Sequence, residues 1–375
     1  MKALIMAGGK GTRLRPLTSN QPKPMISIVN KPCMEHIVNL LKRHGFAEIV
    51  TTLGFMPEVI EDYFGDGSKW GVKIEHSVEE EPMGTAGSVK LAVDRLDERF
   101  IIVSGDALTD ANLSKAVEFH EQSGAEATLV LQHVDDPSEF GIVVVDDEGR
   151  VERFLEKPNP EEVFSYTANT GIYVLEAGIL DDIPADEEYD FADDLFPKLL
   201  DEGRRVYGYV TEKPFWEDIG NIDQYLDAQR AVLGGEVTGV EIPGEPRDGN
   251  VYVGEGAEVE EDSLAGPVVI GENVKISAGA RVGPYTVLGP NVAVESGAKV
   301  VGSTVAEGSV IGADAELDCA LVGRSCKVGA NARLLEDSAI GDNVVVGDGA
   351  TVEAEVSVFP DKSIAEGEII SEDVS

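Results

Sequence analysis

Residues Met1 to Met25 read MKALIMAGGKGTRLRPLTSNQPKPM. The apolar run Ala3 to Ala7 has the composition of a buried strand, and Gly8, Gly9 and Gly11 follow it at once. A strand running straight into glycines is what a phosphate cradle requires. Without a Cβ the backbone can approach a phosphate and aim its N–H groups at the oxygens, while Arg13 and Lys23 supply counter-charge. The spacing is its own: GGKGTR matches neither G-x-x-x-x-G-K-[ST] nor G-x-G-x-x-G.

Charge strengthens that reading. Met1 to Met34 contains no Asp or Glu, although the chain carries 70 acids in 375 residues, and it holds six cations: Lys2, Lys10, Arg13, Arg15, Lys23 and Lys31. Every nearby carboxylate would oppose a bound polyphosphate by Coulomb repulsion, so an acid-free basic island in a chain of net charge −40 marks a polyanion site. Elsewhere the acids are dispersed rather than run together. That predicts a solvated acidic surface suited to a high-salt cytoplasm, where screening removes its self-repulsion. Nucleic acid is a disfavoured partner for the same reason. No apolar stretch approaches a membrane span, and the opening run lacks a signal-length apolar region, so neither a membrane nor an export route is expected. Cys33, Cys319 and Cys326 are odd in number and form no CxxC, which fits a reducing cytoplasm.

The length suggests two domains. Up to about Leu233, strand-like runs (Glu48 to Leu53, Phe100 to Ser104, Ala127 to Leu131, Gly141 to Val145) alternate with helix-like runs (Met34 to His44, Leu113 to Ser123), the pattern of an α/β sheet with crossover helices. Such sheets bind ligands beyond the carboxyl ends of their strands, and Gly8, Ser104 and Asp106 each lie directly after one. After the Gly/Pro-rich stretch 234–250, aliphatics fall six apart at Ile270, Ile276, Val282, Leu288, Val294 and Val300, then from Val322 to Val358. The next residue is often glycine, as at Gly271, Gly283 and Gly289, which suits the corners of a parallel β-helix. Gaps of eleven, Val259 to Ile270 and Val300 to Ile311, predict a shifted corner or a small insertion. The expected division is a catalytic domain over 1–233, a linker over 234–250, a β-helix over 251–366 and an acidic tail over 367–375.

GGKGTRLRPLT followed by PKP resembles the signature of the sugar-nucleotide pyrophosphorylases, nucleotidyltransferases that make NDP-sugars from an NTP and a sugar 1-phosphate. The resemblance continues in family order through GTAG at Gly84, SGD at Ser104, FLEKP at Phe154, NTGIYV at Asn169 and WEDIG at Trp216. It covers about the first 233 residues and implies a Rossmann-like nucleotidyltransferase domain followed by a left-handed parallel β-helix. It also implies a Mg²⁺-dependent reaction in which a sugar 1-phosphate oxygen attacks the α-phosphorus while pyrophosphate leaves in line. That nucleophile is already ionised at neutral pH, so what remains for the protein is charge neutralisation and positioning.

By resemblance, Arg13 and Lys23 sit on the NTP phosphates, with Arg13 serving the leaving pyrophosphate. Ala7, Gly8, Gly9, Gly11, Thr12, Gly84 and Thr85 line the nucleotide, and Asp106 and Asp218 hold Mg²⁺. Lys157 binds the sugar phosphate, Glu156 and Asn169 hold ligand hydroxyls, and the backbone of Gly141 faces the sugar. Trp216 reads as a packing residue. Relatives specific for uracil or thymine usually carry Gln five residues before the glycine of the GT motif, where this chain has Glu79. A carboxylate accepts both guanine donors, N1–H and N2–H₂, but cannot donate to a pyrimidine carbonyl. EEEPMGTAG likewise resembles mannose-1-phosphate guanylyltransferases. The alternatives are UTP or dTTP with glucose or N-acetylglucosamine 1-phosphate, and a non-catalytic NDP-sugar sensor, against which the intact Arg13, Lys23, Asp106, Lys157 and Asp218 argue. Hexapeptide acyltransferases generally use a histidine base, yet His36, His44, His76, His120 and His133 all precede the repeats. The β-helix is therefore expected to be a scaffold through which a homo-oligomer forms or a regulatory contact is made.

Overall fold

The computed structural model describes residues 1–185 and 187–375. Two compact units emerge, and they do not follow chain order: Met1–Gly9 with Cys33–Asp218, and Lys10–Pro32 with Ile219–Ser375.

The first unit is built on strands β1 (Lys2–Ala7), β4 (Glu48–Leu53), β5 (Lys73–Val78), β6 (Arg99–Ser104), β7 (Ala107–Thr109), β8 (Ala127–His133), β9 (Ile142–Val145), β10 (Val151–Leu155), β11 (Thr167–Glu176), β12 (Val206–Val210) and β13 (Trp216–Asp218). The two short strands β2 (Ser27–Ile28) and β3 (Lys31–Pro32) belong to the second unit. The large sheet runs β10-β9-β11-β6-β1-β4-β5, with β8 joined to β11 and β12 to β8. Its half from β6 to β5 is parallel, and β11 enters antiparallel to β6.

Parallel strands covered on both faces must be apolar throughout, and Ala3, Leu4 and Ile5 are fully buried accordingly. The crossover helices α1 (Cys33–Arg43), α2 (Pro57–Phe64), α3 (Gly84–Leu91) and α4 (Leu113–Ser123) cover the sheet, with α5 (Phe196–Asp201) beyond them. Helix α4 shows why its bounds could be anticipated. Asn112 accepts the Lys115 N–H at 3.1 Å at its start, and Gly124 ends it at φ 62°.

The second unit contains the β2–β3 hairpin, helix α6 (Ile222–Gly234) and the repeats. Three sheets of stacked short strands, parallel except for one antiparallel edge strand, make the faces of a β-helix, with a core of Val, Ile, Leu and Ala inside. The eleven-residue gaps are shortened corners, not insertions. Leu264 and Val305 occupy the skipped inward positions, and Leu317 does the same in the next coil. A coil containing such a corner returns to its face after 17 residues, as Val294 pairs with Ile311, where a regular coil takes 18, as Val322 pairs with Ile340. Strands also occur in the flanking stretches: Glu245–Arg247 pairs with Val251–Val253, and Ile369–Ile370 pairs with Thr351–Val352.

Candidate active site

Three neighbouring parallel strands end at one edge, because the register aligns Ala7 with Leu53 and Leu53 with Val78. The residues just beyond them, Gly8, Gly54 and Glu79, therefore meet. Glu79 N–H donates to the Leu53 carbonyl at 2.9 Å and Phe55 N–H to the Gly8 carbonyl at 3.3 Å, which turns the Glu79 side chain onto both glycines. A Cβ on Gly8 would stand 2.9 Å from Glu79 Oε1, and one on Gly54 would be closer still. Glycine is needed at both positions for this close approach. Burial pushes the Glu79 carboxyl above its ordinary value, while the Met83 N–H, which it accepts at 3.3 Å, pulls it back. Gly54 was not among the expected residues. The signal was available in TTLGF, a strand ending in glycine as β1 does.

The GTAG turn is clasped by the segment at Tyr189. The Tyr189 carbonyl accepts the Ala86 and Gly87 N–H groups, both at 2.9 Å, and Tyr189 N–H donates to the Met83 carbonyl at 2.9 Å. Asp190 Oδ1 accepts the Thr85 N–H at 2.9 Å and its hydroxyl at 2.7 Å. Gly84 has φ 71°, and the Tyr189 backbone covers the space a side chain would need. Thr85 thus stands at the expected turn with its hydroxyl committed to Asp190. No pattern in the sequence linked Tyr189 and Asp190 to this turn.

The expected sugar-side residues come together across β9, β10 and β11. Asn169 N–H donates to the Gly141 carbonyl at 2.7 Å and Asn169 Nδ2 to the Tyr173 hydroxyl at 2.9 Å. Glu156 packs over Gly141, and its Oε2 is buried with no hydrogen-bond partner among the described residues. Burial pushes its carboxyl up to about 7; Lys157 opposes this, and Asp193 and Asp190 add to it. Lys157 itself is exposed, with φ 41° and its N–H on the Phe140 carbonyl at 3.1 Å. The indole of Trp216 packs on Phe140 at 5.0 Å between centroids and donates to the Thr170 carbonyl at 3.1 Å, as expected of a packing residue.

Strand β13 pairs with β7 so that Asp218 faces Ala107, the residue after Asp106. Two carboxylate-bearing residues distant in sequence therefore occupy adjoining positions. The Ser104 hydroxyl donates to Asp106 Oδ1, and Gly105 N–H holds the turn to Met6 of β1 at 2.9 Å. Among the described residues no group of three or more His, Cys, Asp or Glu side chains is arranged to hold a metal. A pair of carboxylates suits Mg²⁺, which is commonly held by one or two of them together with substrate phosphates and water.

Within the second unit, the signature loop folds on itself. Gly11 has φ 60°, and an added Cβ would meet Lys23 Cβ at 2.8 Å. Its carbonyl accepts the Thr18 hydroxyl at 2.6 Å and the Leu14 N–H at 3.0 Å. Thr12 and Arg13 open the short helix Thr12–Leu14, both exposed. The Arg13 guanidinium lies against Gly220, the glycine of WEDIG, where a Cβ would come within 3.2 Å of it. Gly220 N–H is in turn held by Gln224 Oε1 at 2.9 Å.

Comparisons with known proteins bear on the family of the chain. Residues 2–234 match the nucleotidyl transferase family, and residues 264–374 match the family described as GMPPB C-terminal domain. The chain is 41% identical over 344 residues to a UTP--glucose-1-phosphate uridylyltransferase of Synechocystis, covering 87% of this chain and 88% of that protein. It is 35% identical over 283 residues to a mannose-1-phosphate guanylyltransferase of Mycobacterium tuberculosis, covering 75% and 77%. The solved structure of HddC from Yersinia pseudotuberculosis complexed with GMP-PN is similar at 28% identity and a TM-score of 0.54, over 62% of this chain and 99% of that one. By the match over residues 2–234 and the residues that carry it, the chain belongs to the nucleotidyl transferase family.

Proposed function

We propose that this nucleotidyltransferase joins GTP to mannose 1-phosphate, giving GDP-mannose and pyrophosphate. The observation that carries the choice of base is Glu79, a half-buried carboxylate turned onto the glycines at the ends of β1 and β4. It is an acceptor for the N1–H and N2–H₂ of guanine and has no proton for a pyrimidine carbonyl when ionised. The GMPPB-type C-terminal match and the GMP-PN complex of HddC support the same base. A second reading, UTP with glucose 1-phosphate, has the 41% identical uridylyltransferase in its favour.

In the proposed reaction Arg13 and Lys23 neutralise the NTP phosphates, and the N–H groups from Gly9 to Thr12 orient them. Lys157 holds the phosphate of the sugar so that its oxygen faces the α-phosphorus, while Glu156 and Asn169 take sugar hydroxyls. No side chain need remove a proton, so catalysis is alignment and charge stabilisation. Asp106 and Asp218 would hold Mg²⁺, which when bound supplies positive charge to the reacting phosphate oxygens. The β-helix serves as the contact of a homo-oligomer in a salt-rich cytoplasm.

The test is pyrophosphate release in molar KCl with Mg²⁺, pairing GTP, UTP, dTTP, ATP and CTP with mannose, glucose and N-acetylglucosamine 1-phosphates. A maximum at GTP with mannose 1-phosphate is expected, and activity should vanish on chelation. Glu79→Gln should lower kcat/KM for GTP by about 10- to 100-fold, the loss of a charge-assisted hydrogen bond, and lower that for UTP far less. Equal losses for the two nucleotides would sink the role of Glu79.

A further inference from the structure

The hairpin β2–β3 turns through Val29 and Asn30, with φ of 44° and 65°. Two-residue hairpins with positive φ favour Asn-Gly; a β-branched residue in that region is strained and persists only where its surroundings over-determine it. Gln229 of α6 is a main part of those surroundings. Its Oε1 accepts the Val29 N–H at 2.8 Å. Its Nε2 donates to the Ser27 carbonyl at 3.2 Å and the Tyr225 hydroxyl at 2.9 Å, and lies 3.3 Å from Thr304 Oγ1 in the β-helix. The Tyr225 hydroxyl donates to the same Ser27 carbonyl at 2.8 Å, and Asn30 Nδ2 donates to the Leu288 carbonyl of the repeats at 2.8 Å. Gln229 and Tyr225 are each only 3% exposed, so no bulk water can replace these bonds.

The strained turn connects directly to the basic loop. Ile26 N–H donates to the Lys23 carbonyl at 3.1 Å, and Lys23 packs against Gly11. The same compact unit contains Lys10–Pro32, α6 and the repeats.

We propose that Gln229 is a positioning residue for nucleotide binding. It holds the Val29–Asn30 turn against α6 and the Thr304 coil, and so fixes Lys23 and Gly11 for the NTP phosphates. This rests on reading Lys10–Pro32 as the phosphate loop. Only a carboxamide fits the role, since it accepts from Val29 while donating to Ser27; Met strips the buried Val29 N–H of this acceptor and leaves the Ser27 carbonyl to the Tyr225 hydroxyl, and ionised Glu has nothing to donate. The repeats therefore support the nucleotide site, beyond any part they play in association.

The test uses the full-length chain, with Gln229→Met, Gln229→Glu and the milder Tyr225→Phe. Equilibrium binding of GTP and UTP, hydrogen exchange of the loop amides and thermal unfolding are measured on each. Gln229→Met should bind its nucleotide about tenfold or more weakly, the equivalent of one lost buried hydrogen bond. It should also exchange the Val29 amide faster while amides from Val322 to Val358 keep wild-type rates. Tyr225→Phe should lose about threefold, since it keeps the Gln229 donor to Ser27. Gln229→Glu should recover affinity relative to wild type as pH falls and the carboxyl regains a proton, whereas Gln229→Met shows no recovery. A merely structural role would lower the unfolding midpoint and leave the affinity of the folded protein unchanged. Folded variants that bind as tightly as wild type overturn the proposal. A wild type that binds neither nucleotide overturns the phosphate-loop reading instead, and unaltered Val29 exchange in Gln229→Met would separately refute the anchoring.

Discussion

Replacing Glu156 with Gln isolates one buried proton equilibrium in a chain of 70 acids. The Glu156 carboxyl is raised from 4.5 to about 7, first by burial and then by Asp193 and Asp190, against the opposing charge of Lys157. A carboxyl raised on folding is protonated in the native state before it is in the unfolded chain. Its stabilising contribution is complete below 4.5 and is lost as pH rises through about 7. A tenfold change in proton affinity corresponds to about 1.4 kcal/mol, which caps the contribution at about 3 kcal/mol. Partial exposure and screening reduce it to roughly 1–3 kcal/mol. Gln has nearly the same shape and no charge at any pH. The stability of wild type minus that of Glu156→Gln should therefore decline by that amount between pH 5 and pH 8, and the variant should be the more stable protein at pH 8. In a domain of this size the change corresponds to roughly 2–10 °C in the unfolding midpoint. Differential scanning calorimetry of both proteins at fixed ionic strength measures it, because titration of the other acids cancels in the difference. A difference that stays flat from pH 5 to pH 8 would refute the argument that burial over Gly141 raises this carboxyl.

Gly84→Ala should destabilise the catalytic unit by about 2–4 kcal/mol, from positive φ and overpacking together. Its Cβ would stand 2.7 Å from the Tyr189 carbonyl oxygen, which cannot retreat without releasing the Ala86 and Gly87 N–H groups; an unchanged urea midpoint would show that the clasp does not form. Leu317→Ala, at a residue 2% exposed in the coil after the shortened corner at Val305, should lower the stability of the β-helix by about 2–5 kcal/mol. A loss near zero would place that position outside the core. With a net charge of −40, the unfolding midpoint should rise between low and molar KCl as self-repulsion is screened; a midpoint that is flat or falls would dismiss adaptation to a salt-rich cytoplasm.

Some of the architecture was legible because its periods are local. The strand Glu48–Leu53 and the helix Leu113–Ser123 have the predicted bounds, since apolar spacing and an Asn cap with a terminal Gly act within a turn or two of chain. The hexad repeat announced the β-helix, but not Val305 and Leu317, because Val305 lies five positions after Val300 and Leu317 five before Val322, so the shortened corners put both out of phase with the six-residue period. Gly54 escaped because its significance lies in the register that sets it beside Gly8 and Glu79.

The chain by itself determined the succession of an α/β domain and a β-helix, the acid-free basic loop and the family to which these belong, because patterning and motif are properties of neighbours in sequence. Only the tertiary structure decided which distant residues share an environment: Asp218 beside Ala107, Tyr189 over the GTAG turn, Arg13 against Gly220, Gln229 under Val29. Each of those encounters depends on strand register or on a buried hydrogen bond between segments tens to hundreds of residues apart. The free energy of such a bond depends on how completely its surroundings exclude water, and no local window of sequence carries that information.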